Sequence, residues 1–254
     1  MKKFQNIGDK WLLFVLIILW QGAVSLGWVA PYILPSPLAI VKELFASFQI
    51  LLYHTAITFM EGMAGLMAAT LIAFFTALAM DRYPGVKKAL YPLLVISQTV
   101  PIIIIAPLIA MWFGFGIAPK IFVVILVCFF PITISLADGL SEVDSELIDL
   151  LRSMGATPFD IYTKIKLPYT LSNFFSGLKI AATYSIMGAV IGEWLGGKAG
   201  LGVYMLRARN SFALEKVFAS ILIIVLLSIG IFGLIKLGQK KAMPWAQLQE
   251  DEIK

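Results

Sequence analysis

Residues 118–137 read APKIFVVILVCFFPITISLA, a run holding one charge, Lys120. At about 1.5 Å of rise per residue, such a run is long enough for an α-helix to cross roughly 30 Å of hydrocarbon. Five further runs flank it, at 11–30, 56–80, 89–113, 174–191 and 217–235, each bounded by charges, prolines or glycines. The fold expected is an all-α membrane protein of six transmembrane helices, forming one domain over 1–254. Composition agrees: of 254 residues, 60% are hydrophobic and 14% charged, against roughly 45–50% and 25% in a soluble domain. That excludes an ordinary soluble enzyme. The first run follows Lys2, Lys3 and Lys10, but it is long for a secretory core of about 7–15 residues and reads as a retained helix.

One cysteine, Cys128, cannot form a disulfide within the chain, and one histidine, His54, leaves no cluster for a zinc or redox site. No metal site is expected. The 20 basic and 15 acidic residues lie mostly between the apolar runs, so they bear on orientation and not on nucleic acid, which wants a clustered basic face. With the N-terminus in the cytoplasm, fourteen of the 20 basic residues fall on inner segments or inner span ends. The outer side keeps Lys42, Lys120, Lys198, Arg207, Arg209 and Lys216. This positive-inside bias predicts cytoplasmic N- and C-termini.

Polar groups inside the runs must face protein or water, because lipid offers no hydrogen bonds. Ser97-Gln98-Thr99 followed by Pro101 and Pro107 predicts a break near Val100, since proline removes an N–H and disfavours the helical region for its predecessor. Gly188, Gly192, Gly196 and Gly200 form a ladder at four-residue spacing that lets another helix approach closely. Gly192 to Lys198 also matches the spacing of a phosphate-binding loop. That reading fails, because Ala199 offers no hydroxyl for Mg²⁺, no strand precedes the motif, and it falls on the outer side.

The segment 138–173 differs from the other loops. Ser145 is placed to cap a helix through Met154 with an apolar stripe of Leu147, Ile148, Leu150, Leu151 and Met154. Gly155 suits a helix C-terminus and Thr157-Pro158 a new N-terminus. The product is a helix–turn–helix bracket on the cytoplasmic face. Pattern alone leaves open whether it docks a soluble partner or lies in the membrane interface.

Gly155, nine residues, then Ile165-x-Leu167-Pro168 resembles the EAA loop of the permease subunits of bacterial ABC importers. Asp149, Leu150 and Leu151 stand where the family's Glu-Ala-Ala would fall, keeping the acid and enlarging the small residues. Leu34-Pro35-Ser36-Pro37, Pro107-Leu108, Trp112-Phe113-Gly114-x-Gly116 and Glu193 ahead of Gly200-Leu201-Gly202 resemble the nitrate, sulfonate, taurine and thiamine-precursor branch. Within it, Glu61-Gly62, Gln98-Thr99-Val100-Pro101 and Phe129-Phe130-Pro131-Ile132 look most like hydroxymethylpyrimidine permeases, whereas sulfonate permeases tend to place a basic residue near Glu61.

The resemblance implies a type I importer-like subunit in the cell (inner) membrane. It would act as a homodimer with two ATPase subunits and an extracytoplasmic binding protein, with ATP and Mg²⁺ in the partner ATPase and no cofactor in this chain. Asp149, Met154, Gly155, Ala156, Phe159, Ile165, Leu167 and Pro168 would couple to the ATPase. Glu61, with Gln98 and Thr99, is a candidate lining of the substrate passage, against a buried pair or a reach toward headgroups. A carboxylate there disfavours anions and fits a neutral or weakly basic heterocycle, such as a thiamine precursor. Glu193, Arg207 and Arg209 are candidates for an external gate or binding-protein contact, against a hydrated Glu beside interfacial Trp194 and arginines on lipid headgroups. His54 is read as interfacial and Cys128 as packing.

The chain itself is expected to perform no chemistry. An aliphatic sulfonate, taurine or nitrate permease stays open as the alternative. A secondary transporter is the rival from another class, and it would want an inverted repeat and several titratable groups within the spans, where Glu61 and Lys179 stand. An integral-membrane enzyme would need convergent acid, base or nucleophile residues, and none is evident.

Overall fold

A computed structural model of the chain describes residues 2–244, and every regular element among them is helical. In chain order these are α1 (Lys2–Ser25), α2 (Pro37–Ala46), α3 (Phe48–Arg82), α4 (Pro84–Ser97) and α5 (Ile102–Phe113), then α6 (Ile117–Ser141), α7 (Ser145–Ser153), α8 (Pro158–Ile161), α9 (Leu167–Trp194), α10 (Leu201–Asn210) and α11 (Leu214–Ala242). Among the described residues, four helical stretches are long and apolar enough to cross a membrane: α3, α6, α11, and the run Pro158–Trp194 that ends in α9. α1 covers the first expected run as far as Ser25, and the count of six spans holds only approximately.

The third expected run is not a straight rod. α4 and α5 meet at 104° across a break, where Pro101 takes an extended conformation at the head of α5 and deprives the chain of an amide donor. Contacts along α6 place the two ends of the bent pair. Near the start of α4, Lys87 donates to Ser141 Oγ at 2.6 Å and Tyr91 Oη to Asp138 at 3.4 Å, both at the end of α6. At the far end of α5, Phe113 stands against Phe122 with ring centroids 5.3 Å apart, near the start of α6. The two ends of the bent pair thus lie against opposite ends of α6, with the break between them.

The core is the three-helix contact of α3, α6 and α9, with Leu66, Ala69, Ala73, Val124, Cys128, Ile132, Ala181 and Ile186 buried in it. Small residues let the backbones close. A Cβ on Gly188 would stand 2.9 Å from Val127 Cγ2, and one on Gly192 3.0 Å from Lys120 Cα, so these two glycines of the expected ladder serve α6–α9 packing, whereas Gly196 and Gly200 lie past the end of α9 in a turn with positive φ. Cys128 packs there and donates to the Ala181 carbonyl at 3.3 Å.

Two short helices, α2 and α10, were not expected from the hydropathy pattern. Ser36 accepts from the Ala39 amide and Pro37 opens α2, a cap-and-proline start that Leu34-Pro35-Ser36-Pro37 already spelled out. α2, α10 and the start of α11 gather around Leu201 and Ala219, at the end of the bundle opposite the 138–173 segment.

Close packing at Gly177 gives a test. A Cβ there would lie 2.5 Å from the Pro131 carbonyl and 2.8 Å from Ser135 Cβ, so Gly177→Val is expected to cost about 1–3 kcal/mol by overpacking. Gly230→Val, with nothing within 4 Å of its added Cβ, is the control. In detergent, the first should lower the thermal midpoint and folded yield, and the second should leave both near wild type.

Candidate functional site

Two polar constructions interrupt the apolar bundle, one in the half nearer α10 and one at the α7–α8 end. In the first, Glu61 is 4% exposed, and its Oε1 lies 2.7 Å from Lys120 Nζ. Lys120 also reaches the Ala199 carbonyl at 3.5 Å, while Glu61 Oε2 is buried without a hydrogen-bond partner. Glu193, 1% exposed, accepts from Thr58 Oγ1 at 2.6 Å and from the Gly202 amide at 2.5 Å. Thr58 Oγ1 in turn accepts from the Leu201 amide at 2.8 Å, and His54 Nδ1 from the Gly200 amide at 2.9 Å. α3 thus presents His54, Thr58 and Glu61 on one face, each tied to the α9–α10 turn or to α6.

The turn itself requires Gly200. Its φ is +121°, and a Cβ there would run into the Glu193 carboxylate, so a side chain is excluded by both conformation and space. Beside the Glu61–Lys120 pair lies a hollow of about 580 Å³, lined by Ile57, Met60 and Ala64 of α3, by Phe115, Ile117 and Ile121, and by the turn Gly196–Ala199. It is mostly apolar, with the ion pair on one wall.

Several expectations change here. Lys120, counted among the outer-side charges, is buried and paired. His54 is buried within the protein, 7% exposed, and its imidazole meets the Tyr204 ring at 5.3 Å between centroids. Of the readings open for Glu61, the structure shows the buried pair: its side chain is enclosed and meets Lys120. Glu193 is neither hydrated nor available to a partner while the turn is closed. Arg207 and Arg209 are exposed at the end of α10, Arg207 donating to the Lys198 carbonyl at 3.2 Å. Gln98 and Thr99 stand exposed at the α4–α5 break, outside the hollow, and Thr99 Oγ1 donates to the Ile96 carbonyl at 2.7 Å, one of the acceptors left at a broken helix end.

At the other end, Asp144 and not Ser145 caps α7, accepting from the Glu146 amide at 2.8 Å. Gly155 has φ +84°, the left-handed conformation that ends a helix at low cost only for glycine. Thr157 and Asp160 then form a capping box that starts α8 at Pro158. Met154 and Phe159 are 75% and 76% exposed, and α7 buries no side chain. Asp149 is exposed and pairs with Arg152 at 3.0 Å, and Ala156 lines a hollow of about 300 Å³ with Asp81, Arg82, Arg152 and Tyr162. Ile165, Leu167 and Pro168 are half-buried in the turn into α9 and do not share the exposed tip.

Residues 65–242 match the family described as binding-protein-dependent transport system inner membrane component. A probable ABC transporter permease protein of Haemophilus influenzae is 37% identical over 86% of this chain and 89% of its own length. The formylaminopyrimidine transport permease protein ThiX of Halalkalibacterium halodurans is 35% identical over 98% of this chain and 99% of its own. Permeases named for aliphatic sulfonates and taurine are among the further relatives. A solved structure described as inward-facing MetNI methionine ABC transporter has the same fold, at TM-score 0.59 and 19% identity, covering 79% of this chain and 98% of that one.

Removing one partner of a buried pair leaves an uncompensated charge, typically at a cost of about 3–5 kcal/mol. Lys120→Met is therefore expected to depress the thermal midpoint sharply in detergent, and Glu61→Gln/Lys120→Met to regain most of the loss. A double variant as unstable as the single would show that the pair is not the stabilising element.

Proposed function

The chain belongs to the inner-membrane components of binding-protein-dependent transport systems, and from that premise we propose how this ABC importer permease subunit works and what it carries. It is a multi-pass membrane protein that moves a solute. Two copies pair in the membrane, an extracytoplasmic binding protein delivers substrate, and two ATPase subunits hold ATP and Mg²⁺. Both termini and the α7–α8 bracket face the cytoplasm, in line with the basic residues of the inner segments.

The observation that carries this reading is the bracket: two short helices joined at Gly155, with Met154 and Phe159 exposed and little of their surface held by the bundle. Met154, Gly155, Ala156 and Phe159 form the contact with the ATPase, Asp149 flanks it, and Ile165, Leu167 and Pro168 brace its return to α9. A ligand shifts a conformational equilibrium only through differential interaction with the two states. Closure of the ATPase pair on ATP supplies that difference by drawing the brackets together.

The substrate proposed is a thiamine precursor or similar heterocycle, supported by the similarity to ThiX over nearly the whole chain. Glu61 and the hollow beside it form part of the passage, with Gln98 and Thr99 at the α4–α5 bend as further lining. Glu193 holds the outer turn shut, and Arg207 and Arg209 meet the binding protein. A second substrate reading has one observation in its favour: Lys120 neutralises Glu61 at 2.7 Å. The sign of Glu61 then no longer disfavours an anion, and an aliphatic sulfonate fits the pair as well.

Uptake by cells carrying the whole transport system separates these readings. Labelled hydroxymethylpyrimidine is expected to enter in an ATP-dependent manner and an aliphatic sulfonate to fail; uptake of the sulfonate alone would replace the substrate and keep the importer. Gly155→Val, forced into positive φ and placing a branched side chain on the docking face, is expected to insert normally and lose at least about tenfold of uptake, each tenfold being roughly 1.4 kcal/mol. Wild-type uptake and ATPase stimulation in that variant would remove the bracket from the mechanism.

A further inference from the structure

The bracket is loosely attached. α7 buries no side chain and α8 buries only Ile161, so a force applied at Met154 or Phe159 needs some other path into the bundle. One covalent path runs through the wide helical turn at Tyr162–Lys166, where the Leu167 amide bonds back to the Tyr162 carbonyl, and so into α9. The second is polar. Lys166 Nζ donates to both carboxylate oxygens of Asp81, at 2.8 and 2.6 Å, and Tyr162 Oη to Oδ2 at 2.5 Å. Asp81 and Lys166 are largely shielded from solvent, their side chains 7% and 14% exposed. A shielded, charge-assisted pair of this geometry is stronger and less screened by salt than a surface pair.

Asp81 sits one residue from the end of α3, and α3 is unbroken from Phe48 to Arg82. The same helix carries Glu61, about 30 Å away, and beyond it Thr58 and His54, which bond the Gly200–Leu201 turn. A continuous helix transmits displacement along its axis with little loss. Whatever moves Asp81 therefore moves the residues that hold the far turn.

We propose that Asp81 is a positioning residue for energy coupling: its carboxylate, gripped by Lys166 and Tyr162, is the joint through which motion of the bracket enters α3 and reaches the Glu61–Lys120 and Thr58–Glu193 contacts. The joint rests on the importer reading, because it presupposes that a partner pushes on the bracket. Nothing in the packing of α3 requires a carboxylate at its end. A bracket with no role in transmission would be served by its continuity with α9 alone.

The test uses the assembled transporter, permease with its ATPase subunits and binding protein, in proteoliposomes, and reads uptake and ATP hydrolysis together. Asp81→Asn and Lys166→Met are expected to assemble, to keep hydrolysis within about twofold of wild type, and to lower solute moved per ATP at least fivefold. The exchanged pair Asp81→Lys/Lys166→Asp is expected to recover most of that ratio, and it is the fall in solute moved per ATP at unchanged assembly that a merely structural contact would not produce. Tyr162→Phe, which keeps the ion pair, serves if the charge variants assemble poorly, and is expected to show a smaller fall in the same ratio. Variants that assemble and transport at the wild-type ratio overturn the joint, as does a loss confined to the amount of assembled complex. A wild-type chain that transports without ATP overturns the importer reading itself, a result seen before any variant is made.

Discussion

In hydrocarbon no water is available to satisfy a stranded polar group, so each charge or broken backbone segment within the bundle must find its partner in the protein. The half of this molecule nearer α10 is arranged around that constraint. Glu61 is tolerable on α3 because Lys120 reaches it from α6, and Glu193 is tolerable near the end of α9 because Thr58 and the Gly202 amide meet it. The backbone of the Gly200–Leu201 turn is in turn satisfied by His54 and Thr58. Charge pairing and turn closure are one construction, and opening the turn breaks several of these bonds together.

That construction is possible because three helices approach closely. Gly62 on α3 and Gly188 and Gly192 on α9 each stand where a Cβ would press on a neighbour at 2.9 to 3.0 Å. The resulting contact brings Lys120, Glu61 and Glu193 within reach across three elements. α3 then joins this polar half to the bracket end as one unbroken helix. α7 and α8 sit loosely beside this tight core, α7 burying no side chain and α8 only Ile161.

The class of fold was legible because hydrocarbon thickness imposes a length on apolar runs, and residues 118–137 meet it openly. The break at Val100–Pro101 was legible because proline acts locally, and so were Gly155 and Thr157-Pro158, which specify a helix end and a helix start within a few residues. What escaped depends on distant contacts. Lys120 looks like a loop charge until α3 brings Glu61 to it across 59 positions, and nothing near His54 in sequence marks it as the acceptor of the Gly200 amide, 146 positions on. Short α2 and α10 fall below the length at which hydropathy speaks, although Ser36-Pro37 signalled the first of them. Asp81 and Lys166, 85 positions apart, carry no local mark of their pairing.

The central claim is that the exposed bracket faces the cytoplasm and takes the push of the ATPase, and position 159 tests it most directly. In a Cys128→Ala background, Phe159→Cys can be treated in intact cells with a membrane-impermeant thiol reagent and, separately, carry a short cross-linker. Protection from the reagent in intact cells, reaction in inside-out vesicles and a cross-link to the ATPase subunit are the results the account requires. Labelling of position 159 from outside intact cells would contradict it.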